Sequence, residues 1–262
     1  MTRYRCSYTL ALLIAATQSL NVQAGDSGAG AAAAGKGIVE VPGATIGSFS
    51  DSGAVDPDSL NFSPAESQLW LSNQLGNINR PARLFYQFKK SGSYEKGFSD
   101  SVFLDVLKIN PDGTRDTDLK FFTGERQQAY GPNNVTGVRG NPILGIYMRG
   151  DVLDLNRLTE GNWRYFQRRI KLALAESAKI EPVDIEYGDK VLKGRRIVIT
   201  PFVDDPRRSQ FAQFAGKRYE FVLSDDIPGT VYEIHTIIPG ESGDTEPLIE
   251  ERLTLKQVNF GS

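Results

Sequence analysis

The sequence predicts an α+β fold: a mainly antiparallel curved sheet or partial barrel of about seven or eight strands, with an inserted helical hairpin. Three observations predict it. Apolar and polar residues alternate through short runs between Arg83 and Val258. One stretch, Asn141 to Ala178, changes to a helical period and has β-type sequence on both sides. The strand runs follow one another through short turns, without the strand–helix–strand rhythm that a parallel sheet needs.

The 262 residues divide by composition into three segments, 1–24, 25–62 and 63–262. In the first, Arg3 and Arg5 precede an apolar run, Thr9 to Thr17, that is too short for a membrane anchor. Val22-Gln23-Ala24 carries small residues where signal peptidase requires them, so cleavage after Ala24 and export to the periplasm are expected. No later apolar run approaches the roughly 20 residues of a membrane span, and none is expected in the mature chain. The single cysteine, Cys6, lies in the part removed, which excludes disulfides, thiolate metal sites and cysteine nucleophiles. Removing Arg3 and Arg5 from the 30 basic residues leaves 28 against 32 acidic ones, a formal charge of −4. With no basic excess, nucleic acid is not an expected partner. The segment 25–62 is rich in Gly, Ala, Ser and Asp and reads as a flexible linker.

The segment 63–262 reads as one globular α+β domain. Ser63-Pro64-Ala65-Glu66 opens a short helical signal that runs through Leu71 and Leu75. Leu84, Tyr86 and Phe88 then alternate in the first strand, and Ser101 to Ile109 forms the second. Asn110-Pro111-Asp112-Gly113 turns the chain, because Pro presets φ and Gly accepts a positive φ, and Asp118 to Thr123 returns. Glu125 to Arg139 has loop composition.

Asn141-Pro142 then starts a helix, with Asn as N-cap and Pro at the first helical position. Ile143, Leu144, Tyr147, Met148, Val152 and Leu155 form its apolar face. Thr159 is the expected cap of a second helix. There Trp163, Phe166, Ile170, Ala173 and Leu174 fall on one side and Arg164, Arg168 and Lys171 nearly opposite. Strand signals resume at Val183–Tyr187, Gly194–Phe202, Lys217–Ser224, Thr230–Ile238 and Leu248–Val258, with a short helix predicted after Asp205-Pro206.

Familiar catalytic and metal motifs fail on particular residues. Gly30 to Lys36 matches most of a phosphate loop, but Gly37 stands where Ser or Thr should hold magnesium. Asn110, Asp112, Asp116 and Asp118 suggest a calcium loop, but Lys108 occupies its first ligand position. His235, the only histidine, sits mid-strand, which excludes a multi-histidine zinc site. Asp204-Asp205 and Asp225-Asp226 adjoin prolines and suit turns and caps. No cofactor is expected. The basic face of Arg164, Arg168 and Lys171 is the candidate binding site, for an anionic head group or an acidic patch on a partner.

The signal segment, the early strand Ala82–Lys89 (ARLFYQFK), the meanders and the helical insertion together resemble the architecture of periplasmic lipoprotein carriers. Those proteins cover a curved antiparallel sheet with helices. The resemblance implies a sheet that cradles an apolar ligand beneath the helical pair, and it carries over no residues. Tyr86, Phe88, Phe121 and Tyr219 then either line a cavity or pack a core. The sequence thus leads to a non-enzymatic periplasmic protein, a carrier of lipid or another apolar ligand or an envelope-associated module with a protein partner. The alternatives are a carboxylate-dependent hydrolase or lyase using Tyr or Lys, and a structural assembly subunit.

Overall fold

The computed structural model describes residues 61–127, 134–240 and 246–261. The expected cleavage point after Ala24, the linker up to residue 60 and the Gly30–Lys36 run lie outside the described residues.

Among the described residues, nine strands form one curved antiparallel sheet: β1 (Ala82–Ser91), β2 (Phe98–Ile109), β3 (Arg115–Phe121), β4 (Asn134–Val138), β5 (Lys179–Tyr187), β6 (Lys190–Ile199), β7 (Arg218–Leu223), β8 (Val231–Ile238) and β9 (Ile249–Phe260). Their order is β4-β3-β2-β1-β9-β8-β7-β6-β5. The sheet is open, with β4 and β5 at its edges. Every neighbouring pair is consecutive in the chain except β1 and β9, which join the first strand to the last.

The order dictates what lies between β4 and β5. The chain leaves the sheet at one edge and must re-enter at the other. Eight interstrand spacings amount to roughly 38 Å in a flat sheet. One helix of 18 residues rises only about 27 Å. Two helices, α2 (Pro142–Thr159) and α3 (Trp163–Glu176), make the crossing. They are preceded in the chain by the short α1 (Pro64–Glu66), whose Ser63 and Glu66 form a reciprocal capping box.

Register puts the apolar residues of every central strand on the face the helices cover. One row runs Phe88, Leu253, Ile234, Phe221, Ile197 across β1, β9, β8, β7 and β6. Leu84, Leu104 and Leu119 form another across β1 to β3. Leu84, Leu104, Phe221, Ile234 and Leu253 have no solvent-accessible surface. No void of acyl-chain size lies against these five side chains, and Tyr86, Phe88, Phe121 and Tyr219 belong to the same buried core.

Two sequence expectations are corrected. Glu125–Arg139, with its loop composition, contains the ninth strand, β4, where Gly137 N–H donates to Asp116 Oδ1 at 3.0 Å. The second cap is Asn162, not Thr159: Asn162 Oδ1 accepts from Arg164 N–H at 2.9 Å. Thr159 remains in the last turn of α2, where its hydroxyl donates to the Leu155 carbonyl at 2.6 Å. Glu160, with φ of 56°, ends that helix in the left-handed region.

Candidate functional site

α3 buries Phe166, Ile170, Ala173 and Leu174 as its period requires, and turns Arg164 and Arg168 outward, with Lys171 half-buried beside them. The guanidinium of Arg164 lies over the Trp163 ring, 4.4 Å from its centroid. The loop 201–208 flanks the helix and adds Arg207, stacked over Tyr165 at 4.9 Å. Asp205 fastens that loop to the helix. Its buried carboxylate meets Arg169 Nε at 2.7 Å and accepts from the Tyr165 hydroxyl and from Arg207 N–H. The sequence-predicted trio thus shares one outward surface, joined by Arg207, Trp163 and Tyr165 from its neighbourhood.

A second polar group lies buried between α2 and the sheet. Lys90, Glu251, Thr236 and Tyr219 stand side by side across β1, β9, β8 and β7, one row along from the apolar row of Phe88. Facing them on α2 are Tyr147, Asp151 and Asp154, spaced i, i+4, i+7 so that they share a stripe. Asp154 meets Lys90 at 3.1 Å, and Lys90 also meets Glu251 at 3.0 Å and Glu95 at 3.2 Å. The Tyr147 hydroxyl lies 3.1 Å from both Thr236 Oγ1 and Glu251 Oε2. Asp151 pairs with Lys217 and accepts from the Tyr219 hydroxyl at 2.7 Å. Arg157 closes the row against Asp154 and Glu95.

The electrostatics follow from burial and neighbours. Burial, reinforced by Glu251, pushes the Tyr147 hydroxyl well above its ordinary pKa, and burial with Asp151 does the same for Tyr219. Burial opposes the charge on Lys90, but Glu251, Asp154 and Glu95 outweigh it and raise the ammonium. Burial likewise opposes ionisation of Asp154, but Lys90 and Arg157 prevail and hold its carboxyl below the usual range. Asp151, with a side chain 1% exposed, spends its charge on Lys217. The row is a fastener whose members satisfy one another.

The remaining candidates have local duties. His235 sits on the opposite sheet face within a charged lattice, its Nε2 2.9 Å from Glu250 and its ring beside Arg252. Burial resists ionisation of Glu250, but Arg252 and His235 hold its carboxyl below the usual range. Asp225 forms a two-bond pair with Arg195. Asp112 accepts from Thr114 N–H and hydroxyl, and Asp116 from Asn110 and Gly137, so both carboxylates brace the β2–β3 turn and the β4 edge. The buried row escaped sequence reasoning, although the polar stripe Tyr147-Asp151-Asp154 within an otherwise apolar helix face was its one readable signal.

No helix among the described residues is long and apolar enough to cross a membrane. No family model and no curated protein matches the chain. Solved structures similar to it include a MucA/MucB complex of Pseudomonas aeruginosa, 15% identical over 74% of this chain and 56% of that one, with a TM-score of 0.31. LprF of Mycobacterium bovis is 15% identical over 76% of this chain and 94% of its own, at a TM-score of 0.26. A LolA superfamily protein of Nitrosomonas europaea is 8% identical over the same shares, 76% and 94%, at 0.24. The chain spans little more than half the length of the first of these.

Proposed function

We propose that this chain is a periplasmic, envelope-associated binding module that holds an anionic partner on the outward face of α3 and performs no covalent chemistry. The observation that carries the reading is the different disposition of its two charged groups. The buried row pairs its cations, Lys90, Arg157 and Lys217, with Glu95, Asp151, Asp154 and Glu251 between α2 and the sheet. Arg164, Arg168 and Arg207 are exposed, and the guanidinium groups of Arg164 and Arg207 lie over aromatic rings. Outward cations on a rigid helix suit recognition of a negative surface.

The apparent signal segment supports the location. The rival hydrolase or lyase needs carboxylates facing each other across a groove, whereas Asp205 and Asp225 are each engaged by an arginine. An apolar ligand beneath the helices would have to displace the packed contacts of α2.

The test is charge reversal. The full chain and its R164E/R168E variant are purified from an envelope fraction and compared by native mass spectrometry with lipid extraction. The wild type should carry an anionic component that the variant loses, with the circular dichroism and melting of the two unchanged. Retention of that component by the variant would end this reading. An apolar lipid held stoichiometrically by both proteins would replace it with the carrier reading.

A further inference from the structure

We infer that the partner of the α3 face is the surface of an anionic phospholipid bilayer, an inference that rests on the docking reading above and names its chemistry. Charge distribution is the first argument. α3 carries Arg164, Arg168, Arg169 and Lys171 against a single acid, Glu176. With Arg3 and Arg5 removed at the expected cleavage, the chain has a formal charge of −4. Taking the +3 of α3 from that total leaves −7 on the rest. Such a molecule is oriented by a negative plane, with α3 turned towards it and the remainder repelled.

Shape is the second argument. A small anion is held by donors that converge on it from several sides. Arg164, Arg168 and Lys171 stand at i, i+4 and i+7 along one exposed helix face, a row that can meet successive head groups of an extended surface. The third argument is the company these cations keep. Trp163 and Tyr165 lie beneath Arg164 and Arg207. Leu172, on the same helix, and Val203, on the flanking loop, are 37% and 38% exposed. Cations interleaved with amphipathic rings and isolated aliphatic side chains match the head-group layer, where rings rest at the polar boundary and short apolar groups enter shallowly. The loop moves with the helix, because Asp205 binds Arg169 and Tyr165. The surface is therefore preformed.

Its binding is peripheral and reversible. Each cation near an anionic leaflet strengthens binding by roughly fivefold, so the three exposed arginines provide roughly a hundredfold preference over a neutral membrane. Salt should erase it, since the screening length falls to about 3 Å at 1 M.

The experiment is vesicle flotation of the full chain with phosphatidylcholine alone or mixed with phosphatidylglycerol. Wild-type protein should float with the mixed vesicles at low salt, remain behind with the neutral ones and be released by 1 M salt. R164E/R168E should bind the mixed vesicles at least roughly 25-fold more weakly. Leu172→Ser should weaken binding a few-fold without changing its salt dependence. Equal binding to both vesicles, or none to the anionic ones, overturns the lipid inference. The envelope comparison separates the two levels. If the charge reversal strips an envelope component while wild-type protein ignores phosphatidylglycerol, the partner is an acidic protein and docking alone survives. If the variant behaves as wild type in both assays, both readings fall.

Discussion

The two halves of α2 are fixed to the same sheet by opposite means. At its start the contacts are neutral. Asn141 Nδ2 donates to the Gly229 carbonyl at 3.0 Å and to the Tyr86 hydroxyl at 3.3 Å, while Asn141 N–H donates to Gln74 Oε1 at 2.7 Å. The Tyr86 hydroxyl in turn donates to the Val231 carbonyl at 2.9 Å. Gly229 is required there, since its φ is +80° and a Cβ would stand 2.7 Å from Leu84. Half the helix further on, the contacts are ionic: Asp151 with Lys217, Asp154 with Lys90 and Arg157. The amide hub demands one geometry and is indifferent to pH and salt. The ionic row joins charges that are costly to bury and dangerous to leave single. The hub thus sets where the helix sits, and the row makes its hold depend on the surroundings.

The widest separation between the halves should come from unpairing the buried charge. Lys217→Met leaves Asp151 inside with only a tyrosine hydroxyl, and about 3–5 kcal/mol of stability should be lost in urea unfolding. Adding Asp151→Leu removes the stranded charge and should restore most of that loss. A double variant as unstable as the single one would mean that packing, not charge, holds this end. Asn141→Ala removes a helix cap and strands the Gly229 carbonyl, at a cost of about 2 kcal/mol. Its deficit relative to wild type should be the same in acid and at neutrality, and in low and high salt. A deficit that varies with either would blur the distinction between hub and row.

Much of this was legible in the sequence, and the illegible part has a physical cause. Period-two runs located eight strands because their apolar residues face one covered surface. The Asn141-Pro142 cap was readable because capping is local. β4 was not, since Asn134-Val135-Thr136-Gly137-Val138 has no alternation and is held from outside by β3 and by Asp116. The ionic row was hidden for a deeper reason. Lys90 and Glu251 become neighbours only through the pairing of β1 with β9, strands more than 150 residues apart that no turn connects. The basic face of α3 was visible, because helical period alone puts Arg164, Arg168 and Lys171 together. Its extension through Arg207 was not, because Asp205 brings that loop to the helix.

A smaller effect tests the row by pH. The Asp154 carboxyl is held below the usual range in the folded protein, against the opposing effect of burial, by Lys90 and Arg157. Its contribution is complete above the ordinary carboxylate value of about 3.9 and disappears as pH falls through the depressed one. Asp154→Asn should therefore cost about 1 kcal/mol at neutral pH, and its deficit should shrink progressively below about pH 4. A deficit of constant size down to pH 2 would show that the carboxylate charge does not matter there.

The smallest effect isolates burial from geometry. Arg195 and Asp225 form a pair at least as well shaped as the buried one, with two bonds of 2.9 and 2.8 Å. The guanidinium hydrogen bond to Asp225 holds its carboxyl below the usual range, partly offset by desolvation. Yet the Asp225 side chain is 75% exposed, against 1% for Asp151. Water re-solvates either partner when the other is removed, so Asp225→Ala should cost less than about 0.5 kcal/mol and have no measurable effect in high salt. The same type of contact, a carboxylate on a cation, should then differ severalfold in consequence between the two sites. If Asp225→Ala proves as damaging as Lys217→Met, the severity of the buried variant comes from lost contact and not from a charge stranded away from water.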